Sequence, residues 1–265
     1  MSQDLFEAVT KKPVVPLWAW LLGATLVAAL GGVLWTRTRR APPEAAKPVA
    51  AAPAPAVPAD APLPATADSD ARLRSLLGQL TPMSRFHDWL ATEDLLRRWV
   101  AVTDELASDT SPRAELPFLR PDRPFKAART GGALEISPHS YARFDALGNV
   151  AGSIDPRVFA GVYHSLHPLL ETAYHQLGYP GLDFDAVTAR ALQRVADAPV
   201  RDRAPALEPV GSLYEFADAS LQSLGPVEKA LLRVGPRNTR LLQRAARDLA
   251  LALGLPLRTA PPAVQ

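Results

Sequence analysis

The sequence predicts a mainly α-helical domain with a small β-hairpin, an α+β fold, preceded by one N-terminal transmembrane helix. Three observations predict it: an uncharged apolar run at residues 13–36, later segments with apolar residues at helical spacing, and a Gly-Gly pair between two strand-like segments. The resulting segments are an N-terminal tail at 1–12, the transmembrane helix at 13–36, a disordered tether at 37–68, the domain at 69–254 and a disordered tail at 255–265.

The apolar run is long enough to span a bilayer. Its 24 uncharged residues would form a helix of roughly 36 Å, against a hydrocarbon core of about 30 Å. Trp18, Trp20 and Trp35 lie near its two ends, where the headgroup region accommodates indole rings. The alternative is a cleaved signal peptide, but this run is long for one and ends in the stop-transfer pattern "WTRTRR". We therefore expect it to remain as an anchor in the inner membrane.

The two flanks of the anchor and the tether give conflicting indications of orientation. Two lysines precede the anchor and four cationic residues follow it, so the positive-inside rule favours a cytoplasmic domain. The tether favours the periplasm, because 20 of the 28 residues from Ala41 to Asp68 are Ala or Pro, and such a chain stays extended and supplies reach. Long domains are also translocated with little regard to flanking charge. We predict a single-pass protein with a periplasmic domain, with a cytoplasmic domain as the alternative.

Small residues recur at every fourth position of the anchor, at Ala24, Ala28 and Gly32. Residues of this size let two helices approach closely in lipid. A homodimer through this face is therefore compatible with the sequence, although a chain so rich in Ala also produces this spacing by chance.

Charge and cysteine content exclude several classes of function for the domain. Residues 69–265 hold 23 Lys and Arg against 22 Asp and Glu, so we expect no nucleic-acid partner, which would need a clustered basic surface. The chain contains no cysteine, which excludes a disulfide framework, a thiolate nucleophile and a Cys-ligated metal. No phosphate-binding loop, nucleophile elbow or zinc-protease motif occurs.

The first elements of the domain follow from apolar periodicity and turn signals. Helices are predicted in "DARLRSLLGQL" and "EDLLRRWVAVTDELA". Prolines then punctuate an extended segment between Leu116 and Pro124, and "PFKAARTGGALEIS" is typical of a β-hairpin whose tight turn requires positive φ at its two glycines. Ser137-Pro138 marks the next helix start, with the serine hydroxyl as its cap.

The later elements are predicted to be helices. Asp155-Pro156 repeats the start signal before a long helix that ends at Gly178. Pro168 lies within this helix and removes one backbone donor, so a kink or break is expected near residues 164–167. Further helices are predicted from Phe184 to Ala196, in "GPVEKALLRVG" and in "PRNTRLLQRAARDLALALG".

Two blocks of the sequence resemble a known family: "SYARFDALGNVAGSIDPRVFAGVYHSLHPLLETAYHQLGYP" and "LYEFADASLQSLGPVEKALLRVGPRN". They are similar to the family catalogued as domain of unknown function 3014, found in Gram-negative bacteria. The layout of membrane helix, Ala/Pro-rich tether and single domain is similar as well. Because that family has no established activity, the resemblance implies neither catalytic residues nor a cofactor.

Four potential metal ligands share one stripe of the long helix: His164, His167, Glu171 and His175. In an unbroken helix they lie within about 80° of one another, and imidazole and carboxylate groups are good zinc ligands. The predicted core face lies nearly opposite and consists of Val162, Leu166, Leu169, Ala173 and Leu177. We therefore expect the stripe to face water and to hold no metal, because a second element must close a structural site and only His87 is a nearby candidate.

Tyr141, Arg143 and Asp145 stand at turn or helical spacing in "YARFD". An Arg and an Asp beside aromatic rings could hold a ligand carboxylate or a sugar. The sequence favours a simpler interpretation, in which Arg143 and Asp145 form a surface ion pair while Tyr141 and Phe144 pack into the core.

Glu215 lies between two aromatic residues, Tyr214 and Phe216. We expect it at an edge or turn that fixes two core aromatics, and we do not expect it to act as an acid catalyst. No residue is assigned a catalytic, cofactor-binding or metal-binding role.

The favoured function is an interaction module, tethered to the inner membrane through residues 13–36, that binds a protein or cell-wall partner. The alternative is an envelope enzyme, or a small-ligand or peptidoglycan-binding protein, with a cleft near Tyr141, Arg143 and Asp145. A pocket lined by those three residues would favour the alternative, whereas an exposed apolar patch would favour the interaction module.

The orientation of the domain is directly testable. We expect alkaline phosphatase fused after Gln265 to be active and a cytoplasmic fluorescent reporter at the same position to be dark, because the tether carries the domain into the periplasm. Phosphatase activity and fluorescence of the two fusions, expressed separately, measure the outcome. A fluorescent fusion together with an inactive phosphatase would place the domain in the cytoplasm.

Overall fold

The structure is a computed structural model that describes residues 66–258, all of which belong to one compact unit, Pro58–Gln265. The predicted N-terminal tail, transmembrane helix (13–36) and small-residue face lie outside the described residues, as does the tether up to residue 65. Within residues 66–258, no helix has both the length and the apolar character needed to cross a membrane.

The described chain is mainly helical, as predicted. The first helices are α1 (Thr66–Leu77), α2 (Ser84–Leu90) and α3 (Leu95–Ala107), and a 3-10 turn (Pro117–Leu119) interrupts the segment that was expected to be extended. After the first hairpin come α4 (Pro138–Ala142), α5 (Asp145–Ser153), α6 (Pro156–Gln176) and α7 (Phe184–Asp197). After the second hairpin come α8 (Ala219–Gln222), α9 (Pro226–Val234) and α10 (Pro236–Leu253).

Two antiparallel hairpins accompany the helices, one more than the sequence predicted. The strands are β1 (Ala127–Thr130) and β2 (Ala133–Ile136), then β3 (Leu207–Val210) and β4 (Leu213–Phe216). The first turn is as predicted, with φ of 57° at Gly131 and 88° at Gly132. The second hairpin was missed because Pro209 inside β3 argues against a strand, although Gly211, with φ of 59°, is suited to its turn. A bridge between Glu135 and Ala206 joins the two hairpins.

Helix α6 lies at the centre of the main core. Its buried residues are Ala160, Val162, Tyr163, Leu166, Leu170, Ala173 and Tyr174, and they pack with residues of α1, α3 and α7. The predicted core face is partly wrong, because Leu177 is exposed and Leu169 is only partly buried. The buried arc is wider and rotated because α3, α7 and α10 all contact this helix.

The ends of α6 form as predicted, but the expected break does not. The Asp155 side chain accepts hydrogen bonds from the backbone N–H groups of Arg157 (2.8 Å) and Val158 (3.2 Å), and Gly178 with φ of 105° follows the helix. The helix runs unbroken through Pro168. Burial of neighbouring residues on the core face offsets the one backbone hydrogen bond that proline removes.

Helix α4 begins after Ser137 as predicted, but the hydroxyl of that serine is not its cap. Ser137 Oγ donates to Ser140 Oγ at 3.4 Å, and Ser140 Oγ in turn donates to the Lys126 carbonyl at 2.7 Å. The hydroxyl pair therefore joins the start of α4 to the chain segment ahead of β1.

Both predicted ends of the domain shift. Helix α1 begins at Thr66, inside the segment expected to be tether. Residues 255–258 fall within the tail expected to be disordered, yet Gln193 of α7 forms hydrogen bonds with one of them, Arg258. Gln193 Oε1 accepts from the Arg258 N–H at 2.6 Å, and Gln193 Nε2 donates to the Arg258 carbonyl at 3.1 Å.

Two glycines let the start of α10 approach α4 and α5 closely. The side chain of Asn238, 1% exposed, lies against Gly148 of α5, where an added Cβ would be 2.5 Å from Asn238 Oδ1. Asn238 Nδ2 donates to Asp145 Oδ1 at 3.0 Å and to the Tyr141 carbonyl at 3.3 Å. Gly235, with φ of 94°, leaves room for the Tyr141 ring, whose Cδ1 would lie 2.5 Å from an added Cβ. These contacts fix α10 against α4 and α5.

The close contact between Gly148 and Asn238 leads to a stability prediction, for which Gly161 is the matched control. We expect Gly148→Ala to lower the free energy of unfolding by about 1–3 kcal/mol, because its methyl group would displace the buried Asn238 amide. Gly161→Ala, in open space on α6, should instead raise it by roughly 0.5–1 kcal/mol through helix propensity. Urea unfolding of the full-length chain in detergent, followed by circular dichroism, measures both. Equal effects of the two substitutions would contradict the packing role of Gly148.

Candidate functional site

The three residues singled out in "YARFD" point to different neighbours. Tyr141 packs beneath the hairpins, and burial raises its pKa to about 12, so its hydroxyl stays protonated at neutral pH. Asp145 accepts a hydrogen bond from Asn238 and lies 3.7 Å from Arg237 Nη1. Arg143 turns away from Asp145 toward the chain ahead of β1. The expected Arg143–Asp145 ion pair is therefore wrong, and the three side chains do not converge on one cavity.

Arg143 is held in place by backbone carbonyls and aromatic rings. Its Nε donates to the Ser140 carbonyl at 3.1 Å, and its Nη1 donates to the Arg123 carbonyl at 3.0 Å. The guanidinium carbon lies 5.6 Å from the ring centroid of Phe125 and 5.4 Å from that of Phe144. Cation–π contacts of this kind hold a guanidinium without neutralising it.

A second arginine joins the same aromatic cluster from α9. The guanidinium carbon of Arg233 lies 4.6 Å from the Phe216 ring centroid, and its Nη2 donates to the Tyr214 carbonyl at 3.2 Å. The Tyr214 ring lies 5.4 Å from the ring of Phe125, which also contacts Arg143. We call this surface, formed by Arg143, Arg233, Phe125, Tyr214 and Phe216, the arginine–aromatic face.

The positive charge of this face is not balanced locally. Burial lowers the pKa of Arg143 and of Arg233, and the nearby positive charge of Arg113 lowers both further, while Glu215 partly opposes the shift at Arg233. Across residues 66–258, none of these three arginines forms an ion pair with a carboxylate. A fixed and partly desolvated guanidinium beside another cation is suited to binding an anion.

Exposed apolar side chains extend the face at the tip of the second hairpin. Val210, Leu213 and Tyr214 are exposed there, with Leu213 at 71%. The prediction for "LYEF" is half right, because Phe216 is buried as expected whereas Tyr214 is not. The missed signal was the Gly-Ser pair between two apolar segments, which is typical of a hairpin turn.

The prediction that the histidine stripe faces water is partly right: His167, Glu171 and His175 keep 32%, 27% and 38% of their side chains exposed, but the stripe also contacts a second element. His164 is exposed, but Glu171 Oε2 accepts from the Phe184 N–H at 3.1 Å, and His167 Nε2 lies 3.1 Å from Asp185 Oδ1. His175 Nε2 is likewise 3.3 Å from Glu171 Oε1. The stripe is partly covered because a short turn after α6 brings the start of α7 back against it.

The element that contacts the stripe is the start of α7, and not the segment around His87 that the sequence suggested. His87 lies beside Gly78, in the turn after α1. Asp183 and Asp185, at the start of α7, stand beside the stripe instead, and their carboxylates form a cluster with His167.

The fold and its two side-chain clusters define a mainly helical domain with two β-hairpins and no recognised catalytic arrangement among the described residues. A family model described as protein of unknown function (DUF3014) matches residues 95–250, and the chain belongs to this family. The resemblance of the two sequence blocks is thereby confirmed. Searches of curated proteins and of solved structures found no match.

Double-mutant cycles can show which side chains interact with Asp145. We expect Asp145→Ala and Asn238→Ala to show a coupling energy of about 0.5–1.5 kcal/mol, because their side chains share a hydrogen bond. Arg143→Ala and Asp145→Ala should add within roughly 0.5 kcal/mol, because these side chains do not meet. Unfolding free energies of the single and double variants provide the measurement. Strong coupling between Arg143→Ala and Asp145→Ala would show that these two side chains do interact.

Proposed function

We propose that this protein is a membrane-tethered interaction module of the cell envelope, and that its domain binds an acidic segment of a protein partner through the arginine–aromatic face. The observation that carries the proposal is the pair of partly buried guanidinium groups, Arg143 and Arg233, which form no ion pair with a carboxylate among residues 66–258 and lie beside an exposed apolar hairpin tip.

The electrostatics of the face favour an anionic partner. A carboxylate bound at Arg143 or Arg233 would offset the burial and the positive charge of Arg113, which together lower the pKa of both groups. Each guanidinium also keeps donors free, because a guanidinium has five N–H groups and backbone carbonyls take only some of them here. Both groups are already oriented, so less side-chain entropy is lost on binding.

The apolar tip favours a protein as the source of the carboxylates. Protein interfaces combine aromatic and arginine anchors with an apolar centre from which water is excluded. Leu213 and Val210 would supply that apolar contact, and Tyr214 is already placed between the tip and Phe125. A small polar ligand would leave these side chains in water.

The anchor and the tether would set where this face searches for its partner. Residues 13–36 would hold the chain in the inner membrane. The Ala/Pro-rich segment would be at most roughly 90 Å long when fully extended, and it would let a periplasmic domain reach partners within that distance of the membrane. A homodimer through Ala24, Ala28 and Gly32 would present two such faces on one assembly and increase avidity.

The alternative of an enzyme or a peptidoglycan-binding protein receives less support. It requires a cleft that Tyr141, Arg143 and Asp145 line together, and their side chains have separate neighbours. Of the three, only Arg143 contributes to the arginine–aromatic face, and no carboxylate among residues 66–258 forms an ion pair with it there.

Site-specific crosslinking in living cells tests the proposed face. We expect a photoreactive amino acid in place of Leu213 to form a discrete protein adduct, whereas one in place of Leu251, which is 82% exposed on α10, forms none. Substituting both Arg143 and Arg233 with Ala should remove most of the adduct, because the acidic segment loses its charge partners. Arg157→Ala, at an exposed position of α6, is the arginine control and should leave the adduct unchanged.

Two results would contradict the proposal. One is the absence of a protein adduct at position 213 in cells that express the chain at its normal level. The other is an adduct that persists when Arg143 and Arg233 are both substituted, which would show that the two guanidinium groups do not hold the partner.

A further inference from the structure

We propose that α6 and the start of α7 form a binding site for a divalent transition-metal ion, with His167, Asp183 and Asp185 as ligands. This site is separate from the arginine–aromatic face, and neither proposal depends on the other.

The three side chains are already close enough to share an ion. One potential ligand atom from each residue lies within 4.8 Å of the other two, and His167 Nε2 is 3.1 Å from Asp185 Oδ1. Ligand atoms that surround a zinc ion tetrahedrally at about 2.0–2.1 Å lie roughly 3.3 Å apart. Small side-chain rotations would therefore complete the site. Glu171 Oε2 lies beside the cluster, 3.9 Å from His167 Nε2.

An independent observation points to an ion at this place. Among residues 66–258, the His167 Nε2 atom is buried and has no hydrogen-bond partner, while its side chain as a whole is 32% exposed and Asp185 Oδ1 stands 3.1 Å away at ion-pair distance. A buried ring nitrogen without a partner is costly. Coordination of a metal ion through its lone pair would satisfy this atom.

Hydrogen bonds from neighbouring groups orient the carboxylates, as they orient the ligand side chains in known metal sites. The buried hydroxyl of Tyr163 donates to Asp185 Oδ1 at 2.7 Å, and Asp183 Oδ1 accepts from the Asp185 N–H at 2.9 Å. The Phe184 N–H donates to Glu171 Oε2. These hydrogen bonds restrict the side chains, and those to the two aspartates use Oδ1 of each, so that their Oδ2 atoms can face a metal.

The charge of the cluster favours a cation, and its ligand types favour a transition metal. Asp183, Asp185 and Glu171 stand together, and in the part of the chain that the structure describes no Lys or Arg forms an ion pair with them. The N-terminus of α7 offsets only part of this charge. An imidazole nitrogen selects zinc and similar ions over Mg²⁺ and Ca²⁺, which prefer oxygen ligands.

This inference replaces the sequence-based expectation that the histidine stripe holds no metal. That expectation rested on the lack of a second element apart from His87. The start of α7 is that second element, and an ion held there would fasten α7 to α6.

Zinc binding by the full-length protein tests the site. The chain is purified in detergent with a tag that contains no histidine, treated with a chelator, loaded with zinc chloride and dialysed. We expect one retained Zn²⁺ per chain by elemental mass spectrometry, and a melting temperature several degrees higher than that of the chelated protein. Magnesium or calcium chloride at the same concentration should produce neither effect.

Variants identify the ligands and separate the site from adventitious binding. His167→Ala and Asp185→Asn should each lose the retained zinc and the thermal shift, whereas His164→Ala, an exposed histidine of the same helix, should keep both. Asp185→Asn retains the size of the side chain and an oxygen for Tyr163, so it decides the outcome if His167→Ala fails to fold. No retained zinc in the unsubstituted chain, or full retention in Asp185→Asn, would overturn the proposal.

Discussion

The contact between Asn238 and Gly148 is the constraint on which the arrangement around the hairpins depends. The buried amide needs hydrogen-bond partners, and it finds them in Asp145 and in the carbonyls of Tyr141 and Val234. Those partners come from α4, α5 and α9, so one side chain of α10 fixes three other elements. A side chain at position 148 would force the Asn238 amide to shift, because an added Cβ would stand 2.5 Å from Asn238 Oδ1.

The arginine–aromatic face is a consequence of that constraint. Arg143 lies in the short link between α4 and α5, and Arg233 lies two residues before Gly235, where α9 ends. Fixing these elements against α10 places the two guanidinium groups over Phe125, just ahead of β1, and over Phe216 of β4. The two sequence blocks that resemble the family meet at the same contacts. Their residues therefore hold the domain together and also position its proposed binding face.

The domain has a net charge near zero, but it carries two local clusters of opposite charge. Arginines without acidic partners stand over the hairpins, while carboxylates without Arg or Lys partners gather where α7 begins, within residues 66–258. Net charge measures neither of them, because it sums over the whole surface, whereas recognition depends on the local potential. Each cluster is held by hydrogen bonds and ring contacts that leave its charge uncompensated.

The sequence by itself determined the family, the mainly helical class, the turn of the first hairpin and both ends of α6. These features depend on residues a few positions apart: Gly131 and Gly132 supply positive φ, and Asp155 caps the helix that it precedes. The second hairpin is also local, but Pro209 conceals its strand pattern. Only the tertiary structure decided the neighbours of Arg143 and the contact of the histidine stripe with the start of α7. The physical reason is that these contacts join residues distant in the chain, and packing, which no local pattern encodes, selects which of them meet.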